Sequence, residues 1–591
     1  MEKGIPNLTA FGALMVAGLP LPDSATPDYR ALLGFYEKNK FPLLAFKNGR
    51  NGHAFLHSPE FKAARNGNSA RLKALRSEYL IVRDRWAERG IPCITLKSGG
   101  SFLPFPYTSD NLDILIHKED ESAARDILLQ LGYLELKNLE EPQKFLFRKF
   151  HAGTTVSDIH LHTRIGWGVG FMNENDLWRK AIVSPDDAAV TIPSPDDTIL
   201  ITLAHAFYEN KCLRLADLIK VFSGFQGVYD WDYIKNTAAR AGWQDGLYFS
   251  LGLCAHLEQS ILGKTAIPHY VIEDCESHLA KSSFINRYYR QLKSRTPVLP
   301  FYVSFIFGKL IFYKKIMQDP RYSLKKRLYE TARTTLRGIR LKAHIRPQSP
   351  FLVTFSGLDG SGKTQHAKIL QSCLNACGLK TEYYWSRCGT AGLTRFFTGL
   401  ANKILGKKTA RGDSKPGAEG RSARLQNPIF RFIWTYLAAF DIMIAYLRHV
   451  RLPLLRGRIV ICDRYVYDAA AEMESSLVKV NWLHRLALKM MLAGTPKPDI
   501  AYFLDVPEAV STQRKDASTD IEYLRQLRRN YLRLTQRYHL ATKDTARELE
   551  TIADEIVLEV GAPYMKIYPT FINSLFLSNP NQINLKSRKV K

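Results

Sequence analysis

The carboxy-terminal part of the chain predicts an α/β fold built on a doubly wound parallel sheet, and three observations carry that expectation. Phe351-Leu-Val-Thr-Phe355 is an apolar, β-branched strand that runs into a glycine-rich turn and then into helical spacing (Ala367, Leu370, Cys373, Leu374) ended by Gly378. Gly457-Arg-Ile-Val-Ile-Cys-Asp463 is a second apolar run, of the kind buried on both faces, and Pro498-Asp-Ile-Ala-Tyr-Phe-Leu-Asp505-Val506 is a third. Strands of this type alternating with helical segments build parallel sheets.

The 591 residues leave room for two or more domains. With 46% hydrophobic and 24% charged residues the composition is that of a folded chain, which excludes wholesale disorder and a polytopic membrane protein. The charge is unusual: 83 Lys+Arg against 56 Asp+Glu give +27, which points to anionic partners such as nucleotides, nucleic acid or acidic lipid surfaces. Eight scattered cysteines form no CxxC pair, so free thiols in a reducing cytoplasm are expected rather than a zinc site or a disulfide scaffold. The weakly apolar amino terminus is broken by Pro and Gly and reads as no signal peptide. The window Phe301 to Phe312, about 12 residues with Lys309 inside it, is too short to span a bilayer and reads as a core helix, with an interfacial helix as the alternative. The expected location is cytoplasmic.

Between Tyr270 and Gln348 the chain carries 17 Lys+Arg and 5 Asp+Glu, and Pro347 to Pro350 then punctuates it. The domain boundary is therefore placed near 346, giving domains 1–345 and 346–565 and a basic tail 566–591. The stretch Gly406 to Arg424 is rich in Gly, basic residues and turn formers and reads as a mobile loop. The tail carries five basic and no acidic side chains.

The strongest chemical signal is Gly357-Leu358-Asp359-Gly360-Ser361-Gly362-Lys363-Thr364, a GxxxxGK[ST] pattern set between a strand and a helix. Glycines let consecutive backbone N–H groups turn onto phosphate oxygens, and the helix N-terminus adds its dipole. Lys363 would neutralise the β/γ-phosphates of ATP and Thr364 would ligate Mg²⁺. Asp463, at the end of its strand, is placed to orient Mg²⁺ or its water, and Arg464 to hold an acceptor phosphate; a surface ion pair is the competing reading. Seven basic residues between Ser511 and Arg537, beginning with Arg514-Lys515, would close over a transferring phosphoryl group or form a solvated helix face.

Over roughly Pro350 to Val560 this pattern resembles the thymidylate kinase family of P-loop nucleoside monophosphate kinases. GLDGSGKT is similar to that family's P-loop, with Asp359 where a carboxylate helps hold the acceptor sugar. Arg387, closing TEYYWSR, stands at the acceptor-binding arginine, Asp463-Arg464-Tyr465 resembles the DR[YH] motif, and Arg514 the lid arginine. Ser361 replaces a P-loop arginine, so the lid is expected to supply the catalytic cation. The base-stacking Phe and base-bonding Arg of the family fall near Ala438 and Ile442, and the basic insertion Cys388 to Asn427 lies in the acceptor region. Phosphoryl transfer is thus better supported than thymidylate as the acceptor.

In the amino-terminal half, ITLKSGGSFLPFPYTSDNLDILI is followed by the alternating strand Thr154-Thr-Val-Ser-Asp158-Ile-His160-Leu-His162. Carboxylates converging from neighbouring strands suit a two-metal nucleotidyl transfer site, with Asp113 and Asp158 as its Mg²⁺ ligands. From Asp28 to Lys342 the chain resembles an uncharacterised nucleotidyltransferase-like family, which implies an α+β polymerase-β-type domain with a helical second half. Asn111 stands where that family has the first metal carboxylate, so a fold retained for binding or regulation competes with an active site. His160 and His162 share a face, as metal ligands or as satisfied structural histidines.

The leading function is an ATP- and Mg²⁺-dependent kinase acting on a nucleoside monophosphate, thymidylate by default, or on another phosphorylated small molecule. The alternatives are a nucleotidyltransferase acting through the amino-terminal domain with a regulatory P-loop half, and an ATP-switched anion- or nucleic-acid-binding protein. No RNP, helix-turn-helix or zinc-finger signature supports nucleic acid as partner. A homodimer is the protein partner considered.

Overall fold

The computed structural model describes residues 8–21, 27–46, 53–97, 111–136, 138, 143–166, 169–342, 348–385, 428–476, 482–514 and 520–567. The chain divides into two units, residues 1–149 with 156–345, and residues 150–155 with 346–591. Arg387, the insertion 388–427, Lys515 and the tail beyond 567 lie outside the described residues.

In the first unit a five-stranded sheet is formed by β1 (Ile94–Thr95), β2 (Leu112–Leu115), β3 (Leu134–Leu136), β4 (Lys144–His151) and β5 (Thr154–His162), in the order β1-β2-β5-β4-β3. β2 and β5 are parallel, with Asp113 opposite His160, while β1 pairs antiparallel with β2. All four residues of β2 are buried, as its Leu-Asp-Ile-Leu sequence demands of a central strand. The long helix α1 (Pro59–Ala87) starts on a Ser58 cap, whose Oγ accepts from the Phe61 N–H at 3.2 Å. Apart from two short two-stranded sheets, the remaining described elements are helices, among them α2 (Leu215–Phe225), α3 (Gln244–Leu262), α4 (Phe305–Gln318) and α5 (Leu324–Lys342). α4 departs from the core helix expected of the apolar window: Phe307, Ile311, Phe312 and Ile316 are buried, but Phe305, Ile306 and Leu310 face solvent.

The second unit holds β6 (Phe351–Gly357), β7 (Thr381–Trp385), β8 (Ile459–Asp463), β9 (Ile500–Asp505) and β10 (Ala541–Asp544) in the order β7-β8-β6-β9-β10, every pair parallel. Composition sets each strand's place. β6 and β8 are buried at every residue and lie inside the sheet, whereas Thr-Glu-Tyr-Tyr-Trp and Ala-Thr-Lys-Asp keep partly exposed side chains and form its edges. The helices are α6 (Lys363–Ala376), α7 (Pro428–Tyr446), α8 (Val466–Ser476), α9 (Glu508–Arg514), α10 (Ile521–Tyr538) and α11 (Leu549–Ile567). On β9 the Tyr502 hydroxyl donates to Glu559 of α11 at 3.0 Å, while the Phe503 ring stacks on Tyr531 of α10. Successive strand residues point to opposite faces, so the sheet is covered on both sides, as a doubly wound fold requires.

The chain leaves β6 and skips one strand position to β7, returns to β8 beside β6, and then crosses to β9 on the other side. β6 is therefore the point where the winding reverses, and its carboxyl end opens the crevice in which such sheets bind ligands. No helix among the described residues is long and apolar enough to cross a membrane. The seven described cysteines are free thiols.

Candidate functional site

At the carboxyl end of β6 the chain turns through Gly357 to Gly362 into α6. A Cβ on Gly357 would stand 2.4 Å from the Leu504 carbonyl oxygen, and Gly360 (φ +83°) would bring one within 3.1 Å of the Ser511 carbonyl oxygen, so both positions require glycine. The Ser511 hydroxyl donates to the Asp359 carbonyl at 2.6 Å and ties α9 to this loop. The first turn of α6 contributes Lys363 and Thr364 at the positive end of the helix dipole.

Lys363 is buried, and its ammonium donates to the carbonyls of Gly357 (2.8 Å) and Leu358 (2.7 Å). Burial, reinforced by the neighbouring Arg464 guanidinium, pushes its pKa down to about 8. Thr364 Oγ1 donates to Asp463 Oδ2 at 2.5 Å, and the Tyr383 hydroxyl donates to the same oxygen at 2.8 Å. Burial and Asp463 together raise the Tyr383 phenol, which keeps it a donor. Asp463 Oδ1 is buried and meets no donor among the described residues. A buried carboxylate oxygen left open beside a threonine hydroxyl is the donor set that a small hard cation takes, so Thr364 and Asp463 fit Mg²⁺.

Arg464 has φ +74°, a backbone conformation uncommon for a residue with a side chain. It is held there by its N–H, which donates to the Phe355 carbonyl at 3.0 Å. Its guanidinium pairs with Asp359 and lies 3.6 Å from Glu472. Arg514, from the end of α9, donates to the Thr545 carbonyl at 3.1 Å. Asp359, Lys363, Thr364, Asp463, Arg464 and Arg514 all line one cavity of ≈ 680 Å³, completed by Trp385, Thr545, Arg547 and Leu549. Of the other basic residues between Ser511 and Arg537, Arg528 is held by both carboxylate oxygens of Asp505 at 2.7 and 2.9 Å and so serves the fold. Ala438 and Ile442 are buried in the body of α7.

Sequence reasoning overlooked Asp468. Its carboxylate accepts from the Ser356 hydroxyl (2.6 Å), the Tyr465 N–H (2.8 Å) and the Tyr531 hydroxyl (2.8 Å), and so locks the end of β6, the Asp463-Arg464 turn and α10 to one another. The signal was a single acid opening the otherwise apolar helix Val466 to Ala471. Tyr383 was equally missed, since one ring in the aromatic run Tyr-Tyr-Trp does not reveal which face it takes.

The first unit holds a smaller cavity of ≈ 180 Å³ whose charged lining includes Lys97, Asp113, Lys144, Glu209, Arg214 and Lys220. Asp113 is fully buried: His162 Nε2 lies 2.9 Å away, Lys97 Nζ 3.2 Å, the Asn111 amide donates at 3.0 Å, and His160 Nδ1, 2.7 Å from that same amide, stands 3.4 Å off. Burial pushes this carboxyl up, but Lys97 and the two imidazoles outweigh it and hold it well below the usual carboxylate range. Burial lowers His162 to about 4, so a neutral ring donates to Asp113. Asp158 is clasped by Arg148, one bond measuring 2.8 Å. The two carboxylates expected to share Mg²⁺ are thus each engaged by cations. No group of three or more His, Cys, Asp or Glu among the described residues is arranged to hold a metal.

Comparison with known proteins agrees with this division. Residues 56–259 match the family model described as an uncharacterised nucleotidyltransferase, and residues 413–556 match that of thymidylate kinase, a range that begins after the phosphate loop. A probable thymidylate kinase of Staphylothermus marinus is 27% identical over 35% of this chain and 95% of its own length. One of Pyrococcus abyssi is also 27% identical, over 35% and 94%, and the thymidylate kinase of Plasmodium falciparum is 22% identical over 38% and 95%. The chain therefore joins a part similar to an uncharacterised nucleotidyltransferase family to a part similar to thymidylate kinases.

Proposed function

We propose that the second unit is an ATP- and Mg²⁺-dependent kinase that transfers the γ-phosphoryl group of ATP to a phosphorylated acceptor, a nucleoside monophosphate by similarity and thymidylate by default. The observation that carries this reading is the convergence in one cavity of the glycine loop, Lys363, the Thr364–Asp463 pair with its open Oδ1, and the Asp359–Arg464 pair. In this reading the backbone N–H groups from Gly357 to Thr364, with Leu358 and Ser361 among them, receive the ATP phosphates. Lys363 exchanges its two loop carbonyls for phosphate oxygens. Thr364 and Asp463 would hold Mg²⁺, which when bound would neutralise phosphate charge. Arg464 holds the acceptor phosphate and Asp359 the acceptor sugar, with Arg387 in the same role beyond the described residues. Arg514 faces the transferring group from the lid side.

Buried Ala438 and Ile442 offer no base-reading contact, and losing a stacking and a hydrogen-bonding partner lowers discrimination by about 1–3 kcal/mol each. Thymidylate is therefore expected to be a poorer substrate than the true acceptor. The first unit, with Asp113 enclosed by donors, supports binding or regulation over two-metal transfer. Full-length protein given ATP, Mg²⁺ and a panel of nucleoside and sugar monophosphates, with ADP release followed, tests the proposal. Release stimulated by one acceptor supports it, and release indifferent to every acceptor overturns it.

A further inference from the structure

The basic connector and the apolar window that sequence singled out are absorbed by neither cavity. From Phe305 to Lys342 there are 11 Lys+Arg and 2 Asp+Glu. α4 and α5 pack on each other: Arg327 donates to the Met317 carbonyl at 2.8 Å and the Thr335 hydroxyl to the Tyr313 hydroxyl at 3.1 Å. One side of α4 enters the core through Phe307 and Ile311. The other side leaves Ile306 72% and Leu310 47% exposed, and α5 leaves Leu324 64%, Leu328 56% and Leu336 61% exposed. Leu324, Leu328, Ala332 and Leu336 are spaced four apart, which puts them on one stripe of the helix, with exposed Lys325 within its arc and exposed Lys326 on the polar face opposite.

From this juxtaposition we infer that α4 and α5 form a docking surface for an anionic lipid bilayer, with the aliphatic stripe entering the headgroup–acyl boundary and the Lys and Arg side chains meeting acidic headgroups. A helix with a leucine face, a strongly basic polar face and low overall hydropathy lies in the plane of an interface rather than across it, and neither helix can span a membrane. The charge selects the partner. A stretch whose sequence carries a net +9 gains from an acidic leaflet through each cation near it, while nucleic acid would satisfy the cations but leave the aliphatic side chains in water. Exposed Tyr302 and Phe305, beside Ile306, suit the headgroup level.

The test is co-sedimentation of the full chain with phosphatidylserine/phosphatidylcholine vesicles and with phosphatidylcholine vesicles, near physiological salt. Association with the anionic vesicles should be at least about tenfold tighter, and the Leu324→Asp, Leu328→Asp double variant should lose roughly tenfold or more with an unchanged far-UV spectrum, because both side chains are outside the core. Lys325→Glu with Lys326→Glu should weaken binding and flatten its salt dependence. Equal or absent sedimentation with the two vesicle types overturns the inference, as does an oligonucleotide bound with the same sensitivity to the leucine variant, or a self-association that this variant abolishes in place of vesicle binding.

Discussion

Asp463 and Asp113 are both buried aspartates on central parallel strands, and each has a lysine from a glycine-bearing segment in its own cavity. Their surroundings make them opposites. Asp463 spends one oxygen on Thr364 and Tyr383 and keeps the other open, while Lys363 rests on loop carbonyls that a phosphate can replace. Asp113 is met by an ammonium, two imidazoles and an amide, and Lys97 is turned onto it directly. Burial places a carboxylate in a low dielectric, but the donors already satisfied around it decide whether it can take a metal or only hold its neighbours in place.

The largest effect that separates the two regions is expected at Lys363. Lys363→Ala should lower kcat/KM for ATP by roughly 10³-fold, since a charge aimed at developing phosphate charge is lost. A folded variant with normal turnover would sink the kinase reading. Asp113→Ala removes the nearer of the two carboxylates at Lys97, with Glu209 remaining 4.0 Å away, and should destabilise the first unit by about 2–4 kcal/mol in denaturant unfolding. A stability loss under 1 kcal/mol would mean that the carboxylate is not the centre of its cluster. Asp463→Asn should reduce kcat by about 10² with a smaller change in the KM for ATP, because metal orientation matters most as charge redistributes. An unchanged kcat would assign Asp463 to structure alone.

Next comes pH. The Lys363 pKa in the free loop is about 8, and bound phosphate raises it, so binding takes up a proton above that pH. The Kd for ATP should therefore rise by up to about tenfold per pH unit above pH 8 and stay level below it. A flat profile to pH 9.5 would show the lysine to be fully charged before nucleotide arrives. The smallest effect is Tyr383→Phe, which removes one of two bonds to Asp463 Oδ2 and should slow kcat about fivefold, near 1 kcal/mol. An unchanged kcat would show that Thr364 alone orients the Asp463 carboxylate.

Read by itself, the sequence determined the parallel sheet, the phosphate loop and the exit of α6 near Gly378, because β-branched apolar runs, glycine turns and 3.6-residue spacing are local properties written in consecutive residues. It also marked Asp463 and Arg464, adjacent at a strand end. What only the tertiary structure decided is which partners long-range folding supplies. Asp468 became a hub because Ser356 and Tyr531 arrive from elements more than 60 residues away, and Arg528 was drawn off to Asp505 while Arg514 stayed in the cavity. Asp113 and Asp158 kept their strands and lost their openness as His162, Lys97 and Arg148 closed on them. Spacing along a chain fixes which face a side chain takes, but the charge it meets there belongs to residues that only packing brings near.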